Sequence, residues 1–377
     1  MGGEKKMGAR AIIFGLILTL SLALPTGAEA RPKVTKKIKK SPPASQPQPT
    51  ILNMIPVAKA RLTKASIGTN KIGGDNCVLA VWRKSESEDV KLVRVAKGIS
   101  KTKGFEVELI RKNGVNSEYK VLKPEGYIVL ALKTNATKHG GRRGASEPAI
   151  YVPYSKGLHT PEMVAAGRAY LEEMVKAAAE KLNRQNVKSA FDKRYFASDT
   201  ASPRIMASLF LIEHIDPDEF KELGVKHVAE KVLVILAGNR GEAYRHAVSY
   251  AGASGLAQFI AKTYKFIRRE YSDAKLKTDF IAGMRDHLNA IMAAYCLADW
   301  SVGKFPLDLA HRMTWKVPEE TLGAFIAAAY NGGENRAVAA YIADPKNWEK
   351  PDHGLAGQTV IYVREFHAVY RYLFPKK

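Results

Sequence analysis

The hydrophobic period of this chain changes once, and that single change limits it to folds in which strands and helices are segregated. From about Ile51 to Leu132 the apolar residues come in short β-branched or aromatic runs, at 77–82, 90–95, 105–110, 119–122 and 127–132, separated by Gly, Asn, Pro and charged residues. Phe105, Val107 and Leu109 alternate with Glu106 and Glu108, which implies one buried and one wet face. Asn113-Gly114 lies between two of these runs and suits the positive φ values of a tight hairpin turn. From Thr160 onward the period lengthens. Thr160-Pro161-Glu162 combines a capping hydroxyl, a proline where a missing N–H costs nothing and an acid in the first turn. Behind it Met163, Gly167, Tyr170, Leu171, Met174, Ala178 and Leu182 recur three and four apart. Similar patterns run through 205–215, 228–236, 280–297 and 322–330. The expectation is a multidomain α+β chain. A small antiparallel β module covers residues 51–137 and a linker 138–148. A helical connector follows over 149–200, then a mainly α C-terminal domain over 201–377.

The N-terminus bears on the compartment. Lys5, Lys6 and Arg10 precede an uncharged apolar run from Ala11 to Leu24, followed by Pro25 and Ala28-Glu29-Ala30, the pattern of a secretory signal. The run of 14 residues is shorter than the about 20 that a stable membrane span needs. We therefore expect export to the periplasm or cell envelope with cleavage after Ala30, the alternative being a retained anchor. Residues 31–50, rich in Lys, Pro, Ser and Gln, cannot bury apolar surface and read as a solvated tether. Its lysines could touch an anionic wall or membrane surface.

The whole chain carries 59 Lys and Arg against 37 Asp and Glu, a formal net charge of +22, so its partner should be anionic. Export makes nucleic acid a poor choice of partner. Cys77 and Cys296 are the two cysteines and read as buried free thiols. No Cys/His spacing suits a metal, and no cofactor is implied.

Three segments of the helical part carry polar groups to the end of an apolar helix. In the first, Glu213 follows seven uncharged residues, Met206–Ile212, and Pro217 stands just beyond, where it should end the helix. A carboxyl against apolar walls favours its neutral form, as a general acid requires; alternatively Glu213 is a wet residue at a helix end. The second segment, Ser249-Tyr-Ala-Gly-Ala-Ser-Gly255-Leu-Ala-Gln258-Phe, spaces two glycines three apart, letting backbone approach a ligand while Gln258 offers donor and acceptor. The third, Ala327-Ala-Ala-Tyr330-Asn331-Gly-Gly, ends a small-residue helix with a phenol and an amide at its rim.

In this order, and followed by Gln358-Thr359-Val-Ile-Tyr362-Val363, these segments resemble the soluble lytic transglycosylase catalytic domain over roughly Ala201–Phe374. The resemblance implies a lysozyme-like fold acting on peptidoglycan glycan strands. It places the acid/base role on Glu213 and glycan contacts on Gln258, Tyr330, Asn331, Gln358 and Tyr362. In that family one Glu protonates the bond between N-acetylmuramic acid and N-acetylglucosamine and then acts as base, giving a 1,6-anhydromuramyl product without water. Four departures stand out. His214 replaces the Ser that usually follows the Glu, Ala257 a Met and Gln358 a Glu. Glu213 also lies 39 positions before Gly252, where about a dozen is usual. Glu242, 10 positions before Gly252, is the rival acid, but Gly238, Asn239 and Gly241 break the helix that would have to present it. Two other readings stay open: a non-catalytic peptidoglycan-binding or scaffold protein, motivated by these departures, and a hydrolytic muramidase.

Overall fold

In the computed structural model, described for residues 49–67, 77–86, 89–95, 100–102, 104–137 and 146–375, the first element is a helix, not a strand. Helix α1 (Ile51–Lys64) starts at Thr50, whose hydroxyl accepts from the Asn53 amide at 3.3 Å. Its buried residues Met54, Ile55, Ala58 and Leu62 lie on one helical stripe, so the expectation of β structure from residue 51 is corrected; Pro56, inside the helix, obscured the period. The apolar run at 11–24, the expected cleavage after Ala30, nearly all of the basic tether and positions 138–145 of the linker lie outside the described residues.

Among the described residues seven strands follow: β1 (Cys77–Trp82), β2 (Lys91–Val95), β3 (Ser100–Thr102), β4 (Phe105–Arg111), β5 (Glu118–Lys123), β6 (Ile128–Thr137) and β7 (Ser146–Tyr151). They form two antiparallel sheets, ordered β2-β1-β6-β7 and β3-β4-β5. In the first, Leu79 faces Val93 on one side and Leu132 on the other, and β1 is buried along its whole length, with α1 packed on β1 and β6. On β4 only Val107 is fully buried, because bulges at Glu106/Val107 and Leu109/Arg111 interrupt the expected alternation.

Two further expectations are corrected here. Asn113-Gly114 is not a two-residue hairpin turn: only Gly114 has positive φ (+52°). The chain makes a short 3-10 turn over Gly114–Asn116, closed where the Ser117 hydroxyl donates to the Gly114 carbonyl at 2.7 Å. Residues 146–151, read as the end of the linker and the start of a helical connector, pair with β6 from Thr137↔Ser146 to Leu132↔Tyr151.

The remainder is helical: α2 (Pro161–Arg184), α3 (Pro203–Ile212), α4 (Pro217–Asn239), α5 (Ala261–Glu270), α6 (Phe280–Arg285), α7 (His287–Val302), α8 (Leu307–Trp315), α9 (Glu319–Gly332), α10 (Glu334–Ala343) and α11 (Gly357–Leu373). The protein is thus mixed α+β. Thr160 caps α2 by accepting from the Met163 amide at 3.3 Å. Pro217 begins α4 rather than ending α3, and Asp216 caps it. Helix α7 runs through the centre, packed against α2, α5, α6 and α9. On α7, buried Asp299 accepts from Thr200 Oγ1 (2.6 Å), Tyr271 Oη (2.6 Å) and the Ala190 amide (2.7 Å), a satisfied structural carboxylate. Cys77 and Cys296 are buried thiols outside any disulfide, and the Cys77 thiol donates to the Tyr119 hydroxyl at 3.4 Å. Strands and helices from residue 49 on belong to one compact unit.

Helices α2 and α4 touch at backbone distance, since a Cβ on Gly167 would lie 1.9 Å from the Leu233 carbonyl oxygen. Gly167→Ala should therefore force the pair apart and destabilise the fold by about 3 kcal/mol, readable as a lowered denaturation midpoint; an unchanged midpoint would contradict this packing.

Candidate active site

Helix α3 is apolar on every side. Its residues Ile205–Ile212 are all buried, the Ser202 side chain caps its start, and α2, α4, α9 and α11 pack around it. The first polar side chain after that run is Glu213, at the C-cap, where the helix reaches a cleft. By surface area Glu213 is half-buried, yet its carboxyl is walled deeply enough that burial pushes its pKa up to about 7. The Tyr362 hydroxyl of α11 donates to Glu213 Oε1, which opposes part of that rise by favouring the charged form.

The segment after Glu213 is held from two directions. His214 Nε2 donates to the Leu256 carbonyl at 2.9 Å, and its ring lies parallel to that of Tyr244, with centroids 3.5 Å apart at 11°. Burial drives its pKa down to about 3, so His214 is neutral and positions rather than transfers protons. Tyr244 itself adopts a positive φ of 58°, an uncommon conformation for an aromatic residue. Nothing in the sequence signals that stack.

Gln258 lines the cleft, with a φ of 46° and its Nε2 donating to the Gly255 carbonyl at 2.7 Å. Gly255 must be glycine, because its φ is +73° and a Cβ would sit 2.3 Å from the Met284 carbonyl oxygen. Tyr330 of α9 donates to the Ala257 carbonyl and meets Phe259 edge-on at 5.7 Å. Asn331 accepts from Thr359 Oγ1 at 2.9 Å, joining α9 to α11. Gln358 is exposed in the first turn of α11, and it is the neighbouring Thr359 that makes the buried contact. Glu242 is exposed, ion-paired with Arg245 and absent from the cleft lining. The described structure thus gathers Glu213, Gln258, Tyr330 and Tyr362 into one connected cluster, and leaves Gln358 and Glu242 apart from it.

The cleft, about 770 Å³, has a wall that the sequence did not reveal. The β4–β5 connection with the strand ends on either side of it, Arg111–Tyr119, and parts of β6 and β7 face Glu213–Asp216, part of α4 and the 244–249 stretch across it. The two sides are tied by charge. Arg111 donates to Asp216, at the start of α4, and to Glu219; Lys231 Nζ lies 2.8 Å from Glu219 Oε1. Arg111 holds Asp216 below the usual carboxylate range, whereas burial raises Glu118 on the β side. Among the described residues no group of three His, Cys, Asp or Glu is gathered as a metal site.

This geometry defines a mixed α+β protein with a polar cleft and a buried acid at one helix end. Comparison with known protein families, with curated proteins and with solved structures finds no match.

The raised pKa has a stability consequence. Below about pH 4.3 Glu213 is protonated folded or unfolded and costs nothing; as pH rises towards 7 the unfolded chain releases its proton first, and stability is lost until the folded group ionises too. Glu213→Gln removes that cost. Its melting temperature relative to the parent should climb between pH 4.3 and 7 and level off above, as differential scanning calorimetry across pH would record.

Proposed function

We propose that the chain is an exported peptidoglycan lytic transglycosylase with a lysozyme-like catalytic domain. The observation carrying this reading is Glu213: a carboxyl raised to about 7 at the end of a helix buried from Ile205 to Ile212, bonded to Tyr362, in a cleft that also holds Gln258. The ordered resemblance of these segments to the transglycosylase catalytic domain supplies the substrate, a MurNAc–GlcNAc glycan strand.

In this reading protonated Glu213 donates its proton to the glycosidic oxygen as the bond from that oxygen to the muramyl anomeric carbon breaks. The N-acetyl oxygen of the same sugar supports the carbon meanwhile. The carboxylate so formed, held by Tyr362, takes the proton of the muramyl 6-hydroxyl as that oxygen bonds the anomeric carbon. Atoms balance without water, and Glu213 ends protonated.

Inverting hydrolysis would need an ionised second carboxylate free to activate water. Asp216 and Glu219 are engaged in ion pairs with Arg111 and Lys231, and the burial of Glu118 favours its neutral form, which argues against that inverting route. The net charge of +22 suits an anionic envelope surface.

Incubating the protein with purified sacculi and weighing the soluble fragments tests the reading. Anhydromuropeptides should appear, fall by about a thousandfold with Glu213→Gln and persist with Glu242→Gln. Fragments one water heavier would favour the muramidase, and sacculus binding without fragments the scaffold. Because the acid must start protonated, kcat/KM should fall about tenfold per pH unit above 7. Tyr362→Phe, which removes the bond favouring the carboxylate, should move that limb to higher pH; a shift to lower pH would contradict the assignment.

A further inference from the structure

A polymer longer than the cleft has to leave it across a lip, and one lip carries an aromatic ring that folding does not use. Ala247, Val248 and Ser249 line the cleft, and the next residue, Tyr250, is fully exposed, at 109% of the reference accessibility for its type. The tyrosines around the site, Tyr330, Tyr362 and Tyr244, are packed or hydrogen-bonded. Tyr250 has no such role.

Nor is its position that of a loose loop. The turn that displays it is closed by three bonds: the Ser249 amide to the Ala253 carbonyl at 2.9 Å, the Gly252 amide to the Ser249 carbonyl at 3.0 Å and the Ala253 amide to Ser249 Oγ at 3.0 Å. Gly252, at φ +80°, supplies the conformation the turn needs. Bridges Val248↔Ser254 and Ser254↔Phe259 attach the turn to the stretch bearing Gln258. Val248, which lines the cleft two residues before Tyr250, is itself 40% exposed.

We propose that Tyr250 is an outer glycan subsite, its ring stacking on the apolar face of a pyranose in the strand as it runs out of the cleft. An aromatic fixed by its backbone gives such contact area at little conformational cost, and a sugar presents a C–H face to it while its hydroxyls stay in water. The inference rests on the peptidoglycan reading and adds to it a dependence on strand length: a short fragment fills the cleft without reaching the lip, whereas a long strand engages both.

The test uses Glu213→Gln protein, which binds without cutting, and stem-free glycan strands released from sacculi by an amidase and sorted by length. Tyr250→Ala should weaken binding of strands of about ten sugars by about tenfold and leave fragments of about four sugars within twofold. Tyr250→Trp should restore the long-strand affinity, and the melting temperature should be unchanged in both variants. Equal affinity of Tyr250→Ala and its parent for long strands, or an equal loss for short and long, overturns the outer subsite while leaving the glycan reading intact. If protein with Tyr250 intact binds no glycan of any length, the peptidoglycan reading itself fails and the subsite with it.

Discussion

The cleft depends on the burial of α3 on all sides. The run Ile205–Ile212 is buried around the helix's whole circumference and has no face for water, so α2, α4, α9 and α11 close over it, and the chain turns charged where that run ends. That end is Glu213. The same packing that makes the helix stable there makes the carboxyl difficult to ionise, so fold stability and acidity are two readings of one burial. Tyr362 moderates the effect from α11, and the neutral His214, stacked on Tyr244 and bonded to Leu256, fixes the chain immediately behind the acid.

The strand-bearing part contributes a wall. Its β4–β5 connection borders the cleft, and Arg111 reaches from it to Asp216 and Glu219 on the helical side. Such half-exposed ion pairs add little stability individually, but sharing one guanidinium between two carboxylates fixes the register of the two walls. It also withdraws both acids from chemistry, leaving Glu213 as the carboxyl at a helix end whose surroundings favour a proton.

Local pattern made much of this legible and long-range pairing hid the rest. The period of three and four gave α2, α3 and α9, and the seven uncharged residues before Glu213 marked the acid, because both are properties of adjacent residues. The glycines that break the chain near Glu242 spoke against the rival, and that residue lies exposed beside Arg245. Pro56 hid α1, whose stripe of Met54, Ile55, Ala58 and Leu62 is plain once Thr50 is seen as its cap. The pairing of β7 with β6 and the reach of Arg111 to Asp216 join residues whose partners are set by the fold and carry no mark in the neighbouring sequence. Likewise Gln358 sits beside the buried contact, which Thr359 makes, a difference of one position that only the helix orientation decides.

The most direct test of the account is to follow the glutamate side-chain carboxyls by carbon-13 NMR through a pH titration, assigning Glu213 by its loss in Glu213→Gln. A Glu213 signal titrating near pH 7 is the predicted result. A Glu213 signal that titrates in the ordinary range near 4.3 would contradict the account, because the end of α3 would then be wet and the acid no different from any other on the surface.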